Sequence, residues 1–321
     1  RDVERSRGLG DVYKRQSEGN GADFGNLLAA KDGITGGSNQ TRGISAGGTD
    51  PNTLDVVEYV TLATFGNASD FGDLSAGRRH AGAVAGQTRF IVGGGDTVPS
   101  LVNIIEYFTI ANTGNATDFG DLTQARRLPA SAGSPVRAIT AGGQPSDATN
   151  VIDFVTISTT GNATDFGDLN QTTKANAGVS SSTIAAFGGG QEPYDTVEKV
   201  TIASQGNAID YADLSVARGY MAGLSNSVKG VFAAGDTGST SNVIDEFNIT
   251  TGGAFTDFGN AQAAKGGVMG NTAAHGGLSE GYQGTRIAPI PQGAGAGQRL
   301  LAFAGYTDAY IKTIDTLTIS T

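Results

Sequence analysis

The chain has no cysteine, no tryptophan and only two histidines among its 321 residues. Without cysteine it forms no disulfide, holds no thiolate-bound metal and carries no cysteine nucleophile, and the redox compartment is left open. His80 and His275 stand isolated from each other, so a metal centre or triad built on clustered imidazoles has no foundation here. Positive charge is scarce as well. Against 31 Asp and Glu there are 21 Lys and Arg, a formal net charge of −10, and the basic residues are scattered rather than gathered into the stripe that phosphate binding needs. A nucleic-acid partner is therefore not expected. No run comes near the ~18 to 20 apolar residues of a membrane span, and the chain does not start with the basic-then-apolar pattern of a signal peptide, so membrane insertion is not expected either.

What the chain has in abundance is glycine, 50 residues of it, beside a hydrophobic content of 38%. Glycine without a G-X-Y period is not collagen, and this much apolar material is more than a disordered tract carries, so the chain folds and is rich in turns. The nonapeptide Gly-Asn-Ala-Thr-Asp-Phe-Gly-Asp-Leu at 114–122 returns almost unchanged at 66–74 and 161–169, returns at 206–214 with Tyr211 in place of Phe, and is degraded at 19–27 and 252–260. Its central aspartates, Asp23, Asp70, Asp118, Asp165, Asp210 and Asp257, are spaced by 47, 48, 47, 45 and 47 residues. That is the period of a repeat protein.

Each unit reads as a box, a strand of small residues, an aliphatic strand ending in Gly-Gly, and a strand of period two. The last of these carries an acid at one position in every copy: Glu58, Glu106, Asp153, Glu198, Asp245 and Asp315. Apolar residues stand two and four positions further on, so the acid shares a half-apolar face. An unpaired charge there is costly. Lys31, Arg78 or Arg79, Arg126 or Arg127, Lys174, Arg218 and Lys265 follow the box aspartates by eight or nine residues, and a repeated ion pair in every unit is the expected solution.

Residues 1–16 match no later repeat and end in a string that resembles translated sequencing-adapter sequence. They are read as a non-native or disordered tail, with the natural N-terminus expected to lie elsewhere, ahead of a single repeat domain over 17–321. The range 271–299 interrupts the last unit with a loop insertion containing His275, Tyr282, Arg286 and a Gly-Ala-Gly-Ala-Gly run. The last unit also lacks a box of its own at its end, which the copy at 19–27 supplies. Units of four strands at this period predict an all-β, six-bladed β-propeller whose last blade is a composite of both chain ends. Seven blades in a longer protein, or an open array, are the alternatives.

The order of basic residue, small strand, Gly-Gly strand, acidic strand with Tyr59 or Tyr107, then an aromatic and Leu resembles the kelch repeat. The late aromatic is Phe71, Phe119, Phe166, Tyr211 or Phe258 where kelch repeats usually have Trp, which makes the chain kelch-like. The boxes themselves resemble repeats in virion and tail-associated proteins of marine tailed phages. That resemblance covers 19–321 and implies a place in a particle more than a chemistry.

The Asp-Phe-Gly triplet lacks the catalytic loop and strand lysine that give it meaning in kinases. In a repeat it reads as structural: Gly-Asn starts a hairpin, Phe packs between blades, and Asp118 and Asp121 cap the turn rather than bind calcium. No residue is assigned a catalytic, cofactor-binding or metal-binding role. Long loops on a rigid scaffold often carry binding, so His275, Tyr282 and Arg286 are the candidate binding residues, with Tyr306 or Tyr310 beyond them. A linker between two propellers is the other reading of 271–299. The expected function is a non-enzymatic structural or binding module, by the resemblance a virion or tail-associated propeller that binds a host surface glycan or a partner protein through its loops; a carbohydrate-active hydrolase with acidic residues near the channel and an intracellular kelch-type interaction scaffold are the alternatives.

Overall fold

The computed structural model describes residues 20–226, 228–267, 269–270, 297–306 and 310–320. Every element among them is a β-strand or an isolated bridge, and the strands form six four-stranded antiparallel sheets. Five sheets are built from consecutive strands. The first blade, for example, runs Thr35–Ser38, Arg42–Ala46, Val56–Thr61 and Ser69–Asp73 from the axis outward. In the sixth blade Met269–Gly270, Gly297–Tyr306 and Tyr310–Ser320 provide three strands, and Ala22–Asn26 from the other end of the chain pairs antiparallel with Tyr310–Ser320 as the fourth. The composite blade expected from the misplaced first box is thus formed. Its second strand starts at Gly297, inside the range read as loop 271–299; residues 1–19 and 271–296 lie outside the described residues.

The box is the outermost strand of each blade, and it ties one blade to the next. The turn before it is closed by Thr64 N–H donating to Thr61 C=O at 3.3 Å, with the same bond repeated from Asn112, Thr159 and Ser204. The Gly-Asn pair lies beyond that turn. It therefore does not start the hairpin, contrary to the expectation from sequence. Gly114 N–H donates to Phe71 C=O of the previous blade at 2.7 Å, Ala116 N–H donates to Asp73 C=O at 2.8 Å, and the Asn115 side-chain oxygen accepts from Asp73 N–H at 3.2 Å. At the closing seam Gly21 N–H donates to Asn260 C=O at 2.9 Å, and Asn20 Oδ1 accepts from Asn260 N–H at 3.0 Å. The turn is easy to misplace because Gly-Asn is a good turn pair, but here an unbonded strand edge claims both its backbone and its side chain.

The Gly-Gly pairs also serve the seam between blades. Gly48 N–H donates to Arg78 C=O, and Gly95, Gly143 and Gly190 do the same to Arg126, Thr173 and Arg218. A Cβ on Gly47, whose φ is +67°, would stand 2.2 Å from Arg78 O, so only glycine admits this approach. Core packing follows the same logic. Phe71 from the first blade's box sits with Ile44, Ala46 and Val57 of its own blade and with Ala81, Phe90 and Phe108 of the second. Arg42, Arg89 and Arg137 lie over Tyr59, Tyr107 and Phe154 at 4.6, 4.4 and 4.7 Å and each donates to a carbonyl of the next blade. The core is a set of wedges between sheets, each shared by two neighbours.

Candidate binding site at the channel mouth

The six repeated acids are the obvious chemical groups of this molecule, and five of them are consumed by structure. Lys31 meets Glu58 at 2.7 Å, Arg126 meets Asp153 at 2.9 Å, Arg218 meets Asp245 at 3.0 Å and Lys265 meets Asp315 at 2.6 Å; Arg78 pairs with Glu106. All ten side chains are buried. The cation is the residue eight positions after the box aspartate, so Arg78 and Arg126, not Arg79 and Arg127, take this place.

The fourth blade departs from the pattern. The residue eight positions after Asp165 is Thr173, whose hydroxyl donates to Gly189 C=O at 3.3 Å. Lys174 comes one residue too late, and among the described residues it makes no ion pair with Glu198. The expectation of an ion pair in every unit is therefore corrected to five in six. A shift of one residue along a strand turns a side chain to the other face. Burial, partly offset by Asn170 N–H and reinforced by the nearby Asp210 charge, holds the Glu198 carboxyl above the ordinary carboxylate range.

One residue further along, the repeat stops repeating. Gly33, His80, Leu128, Ala175, Tyr220 and Gly267 occupy one equivalent position in the six blades, all with φ between +53° and +64°. They form a collar round the axis: His80 N–H donates to Gly33 C=O at 2.7 Å, Leu128 to His80 at 2.8 Å, Ala175 to Leu128 at 2.9 Å and Tyr220 to Ala175 at 2.8 Å. Left-handed backbone in non-glycine residues costs of order 1 kcal/mol or more each, and these bonds between blades hold it. The collar residues of all six blades line one small cavity, and beside Gly33 and Gly267 their side chains are those of His80, Leu128, Ala175 and Tyr220.

The groups at the mouth are mixed in charge. Asp96 accepts from Arg79 Nε at 3.1 Å and lies 3.1 Å from His80 Nδ1; burial alone would raise its proton affinity, but the hydrogen bonds and charges of His80 and Arg79 outweigh it and hold the carboxyl below the ordinary range. Asp32 is the reverse case. Burial, opposed by the Gly33 N–H and by the His80 and Arg79 charges, keeps it above the ordinary range, and its Oδ1 is buried with no hydrogen-bond partner. Tyr220 donates to Gln191 Oε1 at 3.0 Å, and burial raises its phenol, with Arg127 opposing and Asp236 and Asp32 adding to the shift. Arg127 Nε donates to Gln144 Oε1 at 3.1 Å.

The residues singled out from sequence, His275, Tyr282 and Arg286, lie outside the described residues; Tyr310 is exposed at the start of the last strand. Asp32, Asn176 and Tyr220 escaped sequence reasoning. The signal was present in the alignment of repeats, since Asp32-Gly33, Arg79-His80, Arg127-Leu128, Lys174-Ala175, Gly219-Tyr220 and Gly266-Gly267 share a place in the period but no common sequence. Among the described residues no group of three or more His, Asp or Glu is placed to hold a metal ion, and no helix is long and apolar enough to cross a membrane. No family model matches the chain, and no curated protein matches it.

Proposed function

We propose that this β-propeller is a non-enzymatic binding module that takes a glycan or a glycan-bearing partner at its channel mouth. One observation carries the reading: at the collar an otherwise repetitive ring presents four different side chains, His80, Leu128, Ala175 and Tyr220, with Gly33 and Gly267 in the other two blades, while five of the six repeated acids are buried in ion pairs. Repetition serves the scaffold; its interruption serves recognition. Planar polar groups such as Asp32, Arg127, Gln144 and Gln191 beside Tyr220 are the side-chain types that meet sugar hydroxyls in pairs and cover a sugar's C–H face.

The placement in a tailed-phage particle, as part of a host-recognition apparatus, rests on the resemblance of the Gly-Asn-Ala-Thr-Asp-Phe-Gly-Asp-Leu box to repeats of such particles. Flanking genes for tail proteins support it, and their absence removes it. Binding on a glycan array without consumption of the bound glycan is the expected result. Hydrolysis lost in Asp32→Asn would replace this reading by that of a hydrolase, for which the high proton affinity of Asp32 is the one favourable observation. Binding to proteins alone would favour an interaction scaffold.

A further inference from the structure

The fourth blade keeps the acid of the repeat without its cation. Glu198 is 4% exposed, and it accepts from the neutral Asn170 N–H at 2.9 Å. No ion pair reaches it among the described residues. Thr173 takes the place of Arg126, and Lys199, the next residue along the strand, turns to the other face and stands 3.7 Å from the centre of the Tyr211 ring. In the sister blades the cation meets more than the acid. Arg78 donates to Ile104 C=O at 3.1 Å and Arg126 to Val151 C=O at 3.2 Å, in each case the residue two places before the acid. The counterparts in the fourth blade are Thr196 and Glu198, and both line a recess of about 560 Å³ that opens to solvent. Its far wall is the outermost strand of the blade. There Asp210, the register partner of Glu198, is exposed, and Ala208 and Ile209 add apolar surface; Ile209 is 57% exposed where the boxes of the second and third blades have Thr117 and Thr164.

We infer that this recess takes an alkyl cation, an ammonium or guanidinium on an apolar stem as at the end of a lysine or arginine side chain, with its charge on Glu198 and Asp210 and its stem along Ala208 and Ile209. Such a group supplies from outside the charge that Arg126 and Arg218 supply from within their blades. Long basic side chains pair their heads while laying their stems on apolar surface in this way. Burial of an uncompensated carboxylate raises its proton affinity, as it does for Glu198, and an arriving cation relieves the same cost. A hard metal ion is the poorer fit, because it takes about six or more oxygen ligands and no group of three His, Asp or Glu among the described residues is placed to hold one. The site is independent of the glycan reading, since none of its lining residues lines the cavity at the collar.

The test follows the Asn170 backbone amide by NMR on the full chain at neutral pH, during titration with n-butylammonium, n-butylguanidinium and neutral n-butanol. At least one of the cations should shift it saturably and bind at least about tenfold more tightly than the alcohol, since only the cations form charge-assisted bonds to the carboxylates. Glu198→Gln should weaken that cation at least about tenfold by removing the buried charge. Thr173→Lys, which sets a cation beside the acid as Lys31 stands beside Glu58, should weaken it likewise. Asp165→Asn, which removes an exposed box acid of the third blade, should leave the affinity unchanged. Short peptides with a single Lys or Arg separate the two sources: tighter binding than the free cation assigns the recess to a protein partner, weaker binding to a free amine. Equal responses to cations and alcohol, tighter binding of Ca²⁺ at the same amide, or cation affinity that survives in folded Glu198→Gln or Thr173→Lys overturns the inference. The wild-type comparison needs no variant to fold.

Discussion

Thr173 and Glu198 hold, in the fourth blade, the places that Arg126 and Asp153 hold in the third, and no ion pair or hydrogen bond joins them. The folded chain therefore keeps the Glu198 proton more tightly than the unfolded chain does. Glu198 favours the fold below its ordinary value of 4.5 and loses that contribution as pH rises through its higher folded value. Glu198→Gln should match the parent protein in stability below pH 4.5 and exceed it at neutral pH. Thr173→Lys should stabilise the neutral protein by about 1 kcal/mol or more, through a new partner for Glu198. Urea titrations across pH measure both; a pH profile left unchanged by Glu198→Gln would show that the carboxyl is not the cause.

Removing one member of a paired site has the opposite effect. Arg126 and Asp153 are fully buried, so Arg126→Met should cost about 3–5 kcal/mol by leaving a buried carboxylate without its cation. Replacing Asp153 by Leu as well should recover part of that loss. A double variant whose loss equals the sum of the losses of Arg126→Met and Asp153→Leu made singly would mean that the pair is not coupled.

Phe119 is 2% exposed and lies between Leu122 and Ile105 of its own blade and Val155 and Ile157 of the next. Phe119→Ala should cost about 3–5 kcal/mol by the cavity it opens. A denaturation midpoint close to that of the parent protein would remove the packing role of the box aromatic.

Gly47→Ala tests the contact between blades. The added methyl would stand 2.2 Å from Arg78 O at a φ of +67°, and a loss of roughly 2 kcal/mol or more is expected from strain and displaced backbone. A neutral result, read by thermal unfolding, would show that the seam gives way freely.

Closure can be tested by truncation. Removing residues 1–19 should leave the ring intact, whereas removing 1–27 takes away the strand that pairs with Tyr310–Ser320 and bares its edge. Association of the second truncation but not the first, followed by size-exclusion chromatography, is the expected outcome.

The buried ion pairs and the collar differ in how far sequence could reach them. Glu58, Glu106 and their counterparts were legible because each recurs at one register position on an apolar face, and the arithmetic of face and charge demands a cation nearby. Which basic residue answers was not legible for Arg78 against Arg79, since neighbours on a chain face opposite ways and only the register between strands selects one. Asn176 was invisible for a different reason. Nothing in an asparagine between two alanines announces that its side chain is buried; that property belongs to the space around it.

Sequence alone determined the repeat and its six copies and pointed to the composite last blade and the packing role of the box aromatic, because these follow from periodicity and from where one copy of a period is displaced along the chain. The tertiary structure decided that Gly-Asn bridges blades, that Thr173 leaves Glu198 without a cation, and that Gly33, His80, Leu128, Ala175, Tyr220 and Gly267 meet at one collar. Local patterns encode what each segment buries, whereas ring closure brings together residues some 47 positions apart in sequence, and the chemistry of a site depends on that meeting.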